Sequence, residues 1–436
     1  MEVEITEINR EYADDGKQEL VMTIVASPED VDAASKRFFA DIQKRELKGF
    51  RKGKAPRAVL EQSVGGHANA MGGVAETLIN ELAPAAIDGQ DVIFIEDPDF
   101  HVDDMLEEGK PFKFTVSGPV APVMKLTDYG PVSIEMPPEE PTETEIDRHL
   151  EALQDYYHTF EDIDDPDHEA EMGDYVKASI TVTDSNDKVV GGLAAQSRMV
   201  GLGNGTMPIT FDEKVVGSKV GETLEFDFDA IKEDGTSDFG DGHLHAVVDV
   251  KGFRRLILPA LDDELAAKVG CTDASDMRDQ MRRNIGIQKQ RELPKIKVDR
   301  VVEQAIQRLD GDVPDYYVDF IRQDVAREFM QNLEKDGTNL QQWMLQNQVE
   351  GEAMRENIEA EAVHRAKIDC TLEAIFNEKG LEVTEEDIAA MFEGEGGQES
   401  REKWENANRM ADVRKMARQT KATEWLTDTA DVTIVE

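Results

Sequence analysis

The spacing of apolar residues changes along this chain, and the change constrains the fold more than any other sequence feature. Residues 1–116 mix strand-like alternation with helical spacing, 174–253 mostly alternate, and 254–436 follow a helical period. Such segregation is typical of separate modules. At 436 residues, the chain is long enough for two to four domains. We therefore predict a multidomain α+β protein whose C-terminal domain is all-α and elongated.

The first module, residues 1–116, is predicted to be an α+β domain. Strands are expected near residues 3–9, 19–26, 92–95 and 112–118. Ser27 followed by Pro28 marks a helix start, with Ser27 as the N-cap. Pro56 opens a second helix that ends near residue 65, and a third helix is expected over 67–83. The segment 49–56 therefore lies between two helices, in a position that exposes it to solvent.

Residues 117–173 form a predicted acidic connector that belongs to the helical body. From 135 to 174 there are sixteen acidic residues and one basic residue, Arg148. One helix is expected over 142–160, capped by Thr142 or Thr144.

Residues 174–253 are predicted to form a small antiparallel β-rich domain, with strands near 175–183, 223–228 and 243–252. Residues 254–436 are predicted to be helical. Apolar stripes run from Val298 to Leu309 and from Val318 to Leu333, and Pro259, Pro294 and Pro314 are expected to interrupt the helices.

A basic tract stands out against the acidity of the whole chain. Between Lys36 and Arg57 there are nine Lys or Arg residues and two acidic ones, a local charge of +7 in a chain of net charge -45. Phe50 adds an aromatic side chain at the tip of this tract. A confined cationic surface with an aromatic tip predicts a docking point for an anionic partner, either nucleic acid or an acidic protein face.

The sequence contains no pattern typical of nucleophilic catalysis, nucleotide binding or metal binding. Gly201, Gly203 and Gly205 lack the strand-then-helix context of a dinucleotide loop, and no Walker-type motif is present. His243 and His245 share a strand face but lack a third ligand at metal spacing. We expect no metal and no cofactor. The acidic N-terminus and the lack of a long apolar run predict a cytoplasmic protein without membrane contact.

The order Gly49-Phe50-Arg51-Lys52-Gly53-Lys54-Ala55-Pro56 resembles the ribosome-docking signature of the bacterial trigger factor family. The resemblance extends more weakly over nearly the whole chain. It implies that Gly49, Phe50, Arg51, Lys52 and Gly53 bind the ribosome, through a ribosomal protein and ribosomal RNA beside the polypeptide exit. It also implies an ATP-independent chaperone that shields nascent chains.

The β-rich segment resembles the prolyl isomerase domain of that family, which is of the FK506-binding type. By this resemblance Met207 and Phe211 line the catalytic pocket. Such a pocket desolvates an X-Pro amide and stabilises its twisted state, against a barrier of about 18–20 kcal/mol. Pro208-Ile209-Thr210 replaces the family's Ile-Pro-Gly, and Arg198 falls where an aromatic is expected. These departures predict weak isomerase activity.

The helical segment carries the predicted client-binding surface. Large apolar and flexible side chains concentrate in a short span, as suits a surface that must accept many unfolded sequences. The residues predicted to bind clients are Phe329, Met330, Leu333, Trp343 and Met344.

The predicted domain division is 1–116 for ribosome binding, 117–173 for the connector, 174–253 for the isomerase-like domain and 254–436 for the helical chaperone body and arms. The main alternative is a free-standing prolyl isomerase whose helices only build a dimer. A third reading is an acidic RNA-binding protein that uses the basic tract alone. Dimer formation away from the ribosome is left open.

Overall fold

The computed structural model describes residues 4–12, 16–47, 50–230, 242–347, 349–394 and 396–435, with the backbone alone for 4–12. The chain divides into two compact units. The first contains residues 1–137 together with 293–436, and the second contains residues 138–292. The predicted four-domain division is finer than these two units and stays a prediction.

The N-terminal part of the first unit is a four-stranded antiparallel sheet with three helices. The sheet order is β1-β2-β4-β3, so β1 and β3 form its edges. Side chains such as Ile24, Val74 and Phe114 are fully buried between the sheet and the helices. The elements are β1 (Glu4–Tyr12), β2 (Gln18–Ala26), α1 (Pro28–Gln43), α2 (Arg57–Ser63), α3 (His67–Gly89), β3 (Asp99–His101) and β4 (Phe112–Pro119).

A local signal explains where α1 begins, whereas α3 runs beyond the end that its sequence predicts. Ser27 caps α1, since its hydroxyl accepts a hydrogen bond from the backbone N–H of Asp30 at 3.2 Å. The third helix continues past Pro84 to Gly89, six residues beyond its predicted end. Residues 92–95 contribute an isolated bridge between Phe94 and Val120 instead of the predicted strand.

Strand β5 (Ser133–Met136) still belongs to the first unit. The second unit begins after it, with a helix and a short strand. Helix α4 (Glu143–Tyr156) is capped by Thr142, whose hydroxyl accepts from the N–H of Glu145 while the Glu145 carboxylate accepts from the N–H of Thr142. The helix predicted to reach residue 160 ends earlier. The reason is that Phe160 belongs to strand β6 (Thr159–Asp162), which pairs with a later strand of the domain.

The β-rich part of the second unit is a five-stranded antiparallel sheet. It contains β6 with β7 (Asp174–Asp184), β8 (Ala195–Gly201), β9 (Thr223–Asp229) and β10 (His243–Ile257), and helix α5 (Ile209–Val215) lies between β8 and β9. The long strand β10 pairs with β6, β7 and β9. Buried side chains alternate along β7, as the sequence predicted, and also along β10, and they enclose one core.

The remaining elements are helices, followed by one short strand near the C-terminus. Helix α7 (Ala274–Ile306) continues through Pro294, so the predicted break there is wrong. A proline inside a helix costs about 3 kcal/mol. The burial of Val301, Val302 and Ala305 in the following turns offsets this cost. The other elements are α6 (Asp263–Lys268), α8 (Asp315–Lys335), α9 (Leu340–Asn347), α10 (Gly351–Lys379), α11 (Glu385–Ala390), α12 (Gln398–Asn406), α13 (Met410–Thr429) and β11 (Asp431–Ile434).

Strand β11 was not predicted. It pairs in parallel with β5, and its pairing places Val432 beside Ile134. Only four residues long and exposed on both faces, it lacks the buried alternation that identifies a strand in sequence.

Polar contacts hold the helical and N-terminal parts of the first unit together. The Arg414 guanidinium donates to the Asp91 carboxylate, and the Arg418 guanidinium lies 3.6 Å from it. Deeper among the helices, the Asp369 carboxylate accepts from the Tyr317 hydroxyl at 2.7 Å and from the Lys415 ammonium at 2.6 Å.

The element order as a whole confirms the predicted fold class, a mixed α+β, multidomain protein with a helical C-terminal part.

Candidate functional site

The segment between α1 and α2 presents the tip of the basic tract to solvent. Phe50 is 42 % exposed although it is a large aromatic side chain. Gly53 has a φ of 79°, which a glycine adopts without strain, and its N–H donates to the Gln43 carbonyl at 3.1 Å. Arg51 and Lys52 are exposed beside them, and Gly49 lies outside the described residues.

Two cations at the base of the tract, Arg37 and Arg57, are used within the fold. The Arg57 guanidinium lies 3.9 Å from the centre of the Phe39 ring, and it donates to Glu108 at 2.7 Å and to Glu61 at 3.0 Å. Arg37 pairs with Glu81 at 2.6 Å. Burial acts to raise the pKa of Glu108, but hydrogen bonds from Ser35 and Arg57 outweigh it, so that the pKa lies below its ordinary value. These contacts fix the base of the loop.

The cations at the tip have no such partners. Within the part of the chain that the structure describes, Arg45, Arg51, Lys52 and Lys54 form no ion pair. Their charge therefore remains available to an external anion. The sequence indicated the net charge of the tract but gave no sign of this division, because it depends on where Glu61, Glu81 and Glu108 lie in the folded domain.

The predicted isomerase residues lie in the core of the β-rich domain. Met207 is 3 % exposed and Phe211 is 1 % exposed. The Phe211 ring contacts the rings of Phe226 and Phe228, with centroids 5.4 and 5.3 Å away. Sequence reasoning singled out Phe211 but missed Phe226 and Phe228. Their alternation on β9 places both on the face that meets α5, and this was the signal that could have identified them.

Two polar residues of the β-rich domain, Arg198 on β8 and Asp212 on α5, make hydrogen bonds with the backbone. The Arg198 guanidinium donates to the backbone carbonyls of Gly192 and Leu193, at 3.1 and 3.4 Å. Asp212 is fully buried, and one of its oxygens accepts from the Gly203 N–H at 2.8 Å. Its other oxygen has no hydrogen-bond partner among the described residues. Burial raises the pKa of the Asp212 carboxyl.

The two histidines on β10 face carboxylates. His243 Nδ1 lies 2.6 Å from Asp229, and His245 Nδ1 lies 2.7 Å from Asp227. The hydrogen bond with Asp227 raises the pKa of His245. Among the described side chains, no group of three His, Cys, Asp or Glu residues is placed to hold one metal ion.

Of the five predicted client-binding residues, Phe329 and Trp343 line a groove between α8, α9 and α10, whereas Met330, Leu333 and Met344 do not line it. The rings of Phe329 and Trp343 meet edge to face at 5.1 Å, and both line a cavity of about 250 Å³. Met330 is 43 % exposed, Met344 is half-buried, and Leu333 is buried. The Arg365 guanidinium closes one wall of the groove, 2.6 Å from both Glu328 and Glu361.

The sequence prediction did not include Leu345, which is the most exposed large apolar side chain described here, at 82 %. It is adjacent to Met344, so proximity in sequence could have included it. None of the described helices is both long and apolar enough to span a membrane.

Comparisons with known proteins match both ends of the chain to one family. The family model described as bacterial trigger factor protein matches residues 7–153, and the model of its C-terminus matches residues 274–428. Together these matches cover well over half of the chain.

Trigger factors from several organisms align with most of the chain. The one from Halothermothrix orenii is 28 % identical over 387 residues, covering 88 % of each chain. The one from Natranaerobius thermophilus is 27 % identical over 421 residues, covering 93 % of this chain and 91 % of the relative. A solved structure titled "Promiscuous Substrate Recognition in Folding and Assembly Activities of the Trigger Factor Chaperone" aligns over 97 % of this chain at 18 % identity, with a TM-score of 0.41.

The chaperone reading is favoured over a free-standing isomerase because the relatives match the N-terminal and helical segments as well as the chain's middle. From the two matched segments and the coverage of these relatives, the chain belongs to the bacterial trigger factor family.

Proposed function

We propose that the tip of the loop between α1 and α2 docks this chaperone on the ribosome, while the helical segment holds unfolded client chains. One observation carries the docking proposal. The tip cations Arg51, Lys52 and Lys54 have no ion-pair partner in the described structure, whereas Arg37 and Arg57 at the base are paired. Unpaired cations beside an exposed aromatic suit a surface of phosphates and acidic side chains.

The test is co-sedimentation with ribosomes of the variant Phe50→Ala, Arg51→Ala, Lys52→Ala. We expect binding to be abolished and the unfolding temperature to remain unchanged, because these side chains have few internal contacts. A matched control removes one exposed apolar residue and two lysines elsewhere, as Val189→Ala, Lys188→Ala, Lys214→Ala. Equal binding by both variants would refute docking through the tip.

Client holding is proposed for the groove at Phe329 and Trp343 and its exposed neighbours. Met330 and Leu345 are exposed on the two helices that carry Phe329 and Trp343, and methionine adapts to irregular partners. The test is light scattering of a denatured client diluted into the full chain without ATP. Met330→Gln with Leu345→Gln should weaken suppression of aggregation. The control, Met172→Gln with Leu258→Gln, alters similarly exposed residues of the second unit and should not.

Prolyl isomerase activity is a second proposal, favoured by the aromatic cluster of Phe211, Phe226 and Phe228. We propose that this activity is weak, because the Arg198 charge stands where the family's pocket has an aromatic side chain. Turnover of a Phe-Pro peptide should rise by roughly fivefold in Arg198→Phe, equivalent to about 1 kcal/mol of transition-state stabilisation. Arg198→Met, which removes the charge without adding a ring, should gain less. Full activity in the unaltered chain would contradict this proposal.

A further inference from the structure

The guanidinium of Arg198 is only partly used within the β-rich domain. Its Nη1 donates to the carbonyls of Gly192 and Leu193, at 3.1 and 3.4 Å. Among the described residues, its Nε and Nη2 have no hydrogen-bond partner, and no carboxylate pairs with it. The edge of a guanidinium formed by Nε and Nη2 suits a carboxylate, which accepts two parallel hydrogen bonds from it. In Arg198, no side chain of the described structure uses that edge.

An unpaired, half-buried arginine is unexpected in a chain this acidic. The sequence has 93 acidic and 48 basic residues. Arg254 of the same domain pairs with Asp162 at 2.5 Å. A cation that loses part of its water without gaining a carboxylate is costly. The bonds to Gly192 and Leu193 hold the turn before β8, but this structural role does not require that the other edge of Arg198 stay unpaired.

Arg198 lies on the face of the sheet that carries the aromatic cluster. In the pairing of β7 with β8 it is opposite Ala178, and Val200 is opposite Val176. Residues directly opposite each other in an antiparallel pair share a face. Those three apolar residues are buried in the core that contains Phe211. Since β8 is at an edge of the sheet and Arg198 is half-buried, Arg198 lies at the margin of this core.

A β-bulge immediately precedes Arg198 on β8. Ala178 pairs with Arg198 and Ile180 pairs with Ala195, so β8 has one residue more than β7 between these two pairs. The extra residue of a bulge changes the direction of neighbouring side chains, and bulges are frequent beside active sites. The backbone at Arg198 therefore has a feature that is common next to binding sites.

We propose that Arg198 binds the carboxylate of an Asp or Glu side chain next to the proline of a peptide substrate. The proline ring contacts the apolar cluster, and the flanking carboxylate lies at its margin, where Arg198 is. Pairing also neutralises the guanidinium, which otherwise holds water beside an amide that must be desolvated. The inference rests on the prolyl isomerase activity proposed above, and it names acidic segments as the substrate class of that site.

The net charge of the chain separates this local contact from general electrostatics. A chain of net charge -45 repels an acidic peptide. Without Arg198, a peptide with Glu beside proline should therefore be a poorer substrate than the same peptide with Gln. A preference for Glu has to come from a cation at the site itself.

The experiment compares blocked tetrapeptides as substrates of the full chain. Two of them have Glu or Gln before the proline, and two have Glu or Gln after it. The exchange between cis and trans forms is measured by NMR. We expect at least one Glu peptide to have a kcat/KM about tenfold above that of its Gln counterpart, as a charged hydrogen-bonded contact provides. Equal values in both pairs would show that the inference is wrong.

Three variants locate the source of the preference. Arg198→Met should reverse the order of Glu and Gln, whereas a merely structural role would lower both and leave their ratio unchanged. Arg198→Lys, which keeps the charge without the fork, should retain a reduced preference, and it covers the case in which Arg198→Met unfolds the domain. Lys251→Met is the matched control. Lys251 also donates to a carbonyl of β8, that of Gln196 at 2.9 Å, but it is exposed on β10.

The preference for Glu should be unchanged in Lys251→Met. The inference is overturned if the preference survives in Arg198→Met, is undiminished in Arg198→Lys or is lost in Lys251→Met.

A binding measurement separates this inference from the isomerase proposal. The same peptides, labelled, are titrated with the full chain and followed by fluorescence anisotropy. If the chain isomerises none of them, the isomerase proposal fails. Tighter binding of a Glu peptide that depends on Arg198 would still support the carboxylate site, and equal binding of Glu and Gln peptides would refute it.

Discussion

The loop between α1 and α2 and the aromatic cluster of the β-rich domain both place a phenylalanine at a proposed site, but in opposite surroundings. Phe50 is 42 % exposed at the loop tip. Phe211 is 1 % exposed, and its ring contacts those of Phe226 and Phe228. The loop tip consists of side chains that are exposed to solvent, whereas the cluster consists of side chains that pack in the core of the β-rich domain.

The electrostatics follow the same division. The Arg51 guanidinium has no ion-pair partner in the described structure, whereas Arg198 is tied to the carbonyls of Gly192 and Leu193. A loss of function therefore has a different meaning in each region. At the loop tip it reports on binding. At the cluster it reports first on stability, so a substitution there needs a stability measurement beside any activity measurement.

The largest expected effect is on the stability of the β-rich domain. Phe211→Ala should destabilise it by about 3–5 kcal/mol, because a buried aromatic is lost and a cavity remains. Phe50→Ala should change stability by less than about 0.5 kcal/mol. Hydrogen exchange of residues 174–257 measures the first effect locally. Tryptophan fluorescence serves as the internal control, since Trp343, Trp404 and Trp425 all belong to the first unit.

Unaltered exchange protection in Phe211→Ala would show that the cluster is not part of the domain's core, and the contrast with Phe50 would fail. Phe211→Leu, which retains much of the buried volume, should lose less protection than Phe211→Ala.

Next in size is a contrast within the basic tract. Arg57→Ala should lower the stability of the N-terminal domain by about 1 kcal/mol, since it removes a cation–π contact and two partly exposed ion pairs. Arg51→Ala should leave stability unchanged and weaken ribosome binding. Urea denaturation and co-sedimentation of both variants test this division. Arg57→Lys is a useful third variant because it keeps the charge but cannot reproduce the two-pronged contact with Glu61 and Glu108.

If the Arg57→Ala and Arg51→Ala variants proved equally stable and equally weak in ribosome binding, the distinction between a base of paired cations and a tip of unpaired cations would be wrong. It would instead act as one undivided cationic surface.

The sequence was sufficient for features determined by local signals. The structure confirms the cap at Ser27, one of the two caps considered for α4, at Thr142, and the alternation on β7, all of which depend on neighbouring residues. The exposure of the tract 50–54 was also foreseen, because flanking helix signals left it in a loop.

Features determined by distant partners could not be read from the sequence. The short strand β11 exists because β5 lies beside it, and α7 passes Pro294 because burial beyond the proline outweighs its cost. The division of the basic tract depends on Glu81 and Glu108, which are far away in sequence.

A smaller effect is expected for the pH dependence of the β-rich domain. Burial raises the pKa of Asp212, so the native state holds this proton more tightly than the unfolded state does. The contribution of Asp212 to the free energy of unfolding is therefore fully present below the unfolded-state pKa of about 4, and it is lost as pH rises through the higher native pKa. Asp212→Asn does not titrate. Its stability relative to the unaltered chain should improve as pH rises above about 4 and stay constant below it.

Exchange protection of residues 201–216, compared between Asp212→Asn and the unaltered chain at each pH, measures this trend. Asp41 provides the matched contrast from the loop region, since its hydrogen bond and ion pair with Lys44 lower its pKa instead of raising it. A difference that did not change with pH would mean that Asp212 ionises in the native state at no extra cost, and one that grew in the opposite direction would mean that its native pKa is lowered.

The smallest expected effect tests whether paired charges near the tip contribute to docking. Lys44 and Asp41 form an exposed ion pair at 2.6 Å beside the unpaired cations. Asp41→Asn should tighten ribosome binding by about twofold to fivefold and steepen its salt dependence, because it adds one net positive charge. Lys44→Gln should weaken binding by a similar factor. The double variant restores the net charge, so it should bind like the unaltered chain. Co-sedimentation at two salt concentrations distinguishes these cases. Non-additive effects in the double variant would show that one of the two side chains contacts the ribosome directly, which would extend the docking surface from the tip into the end of α1.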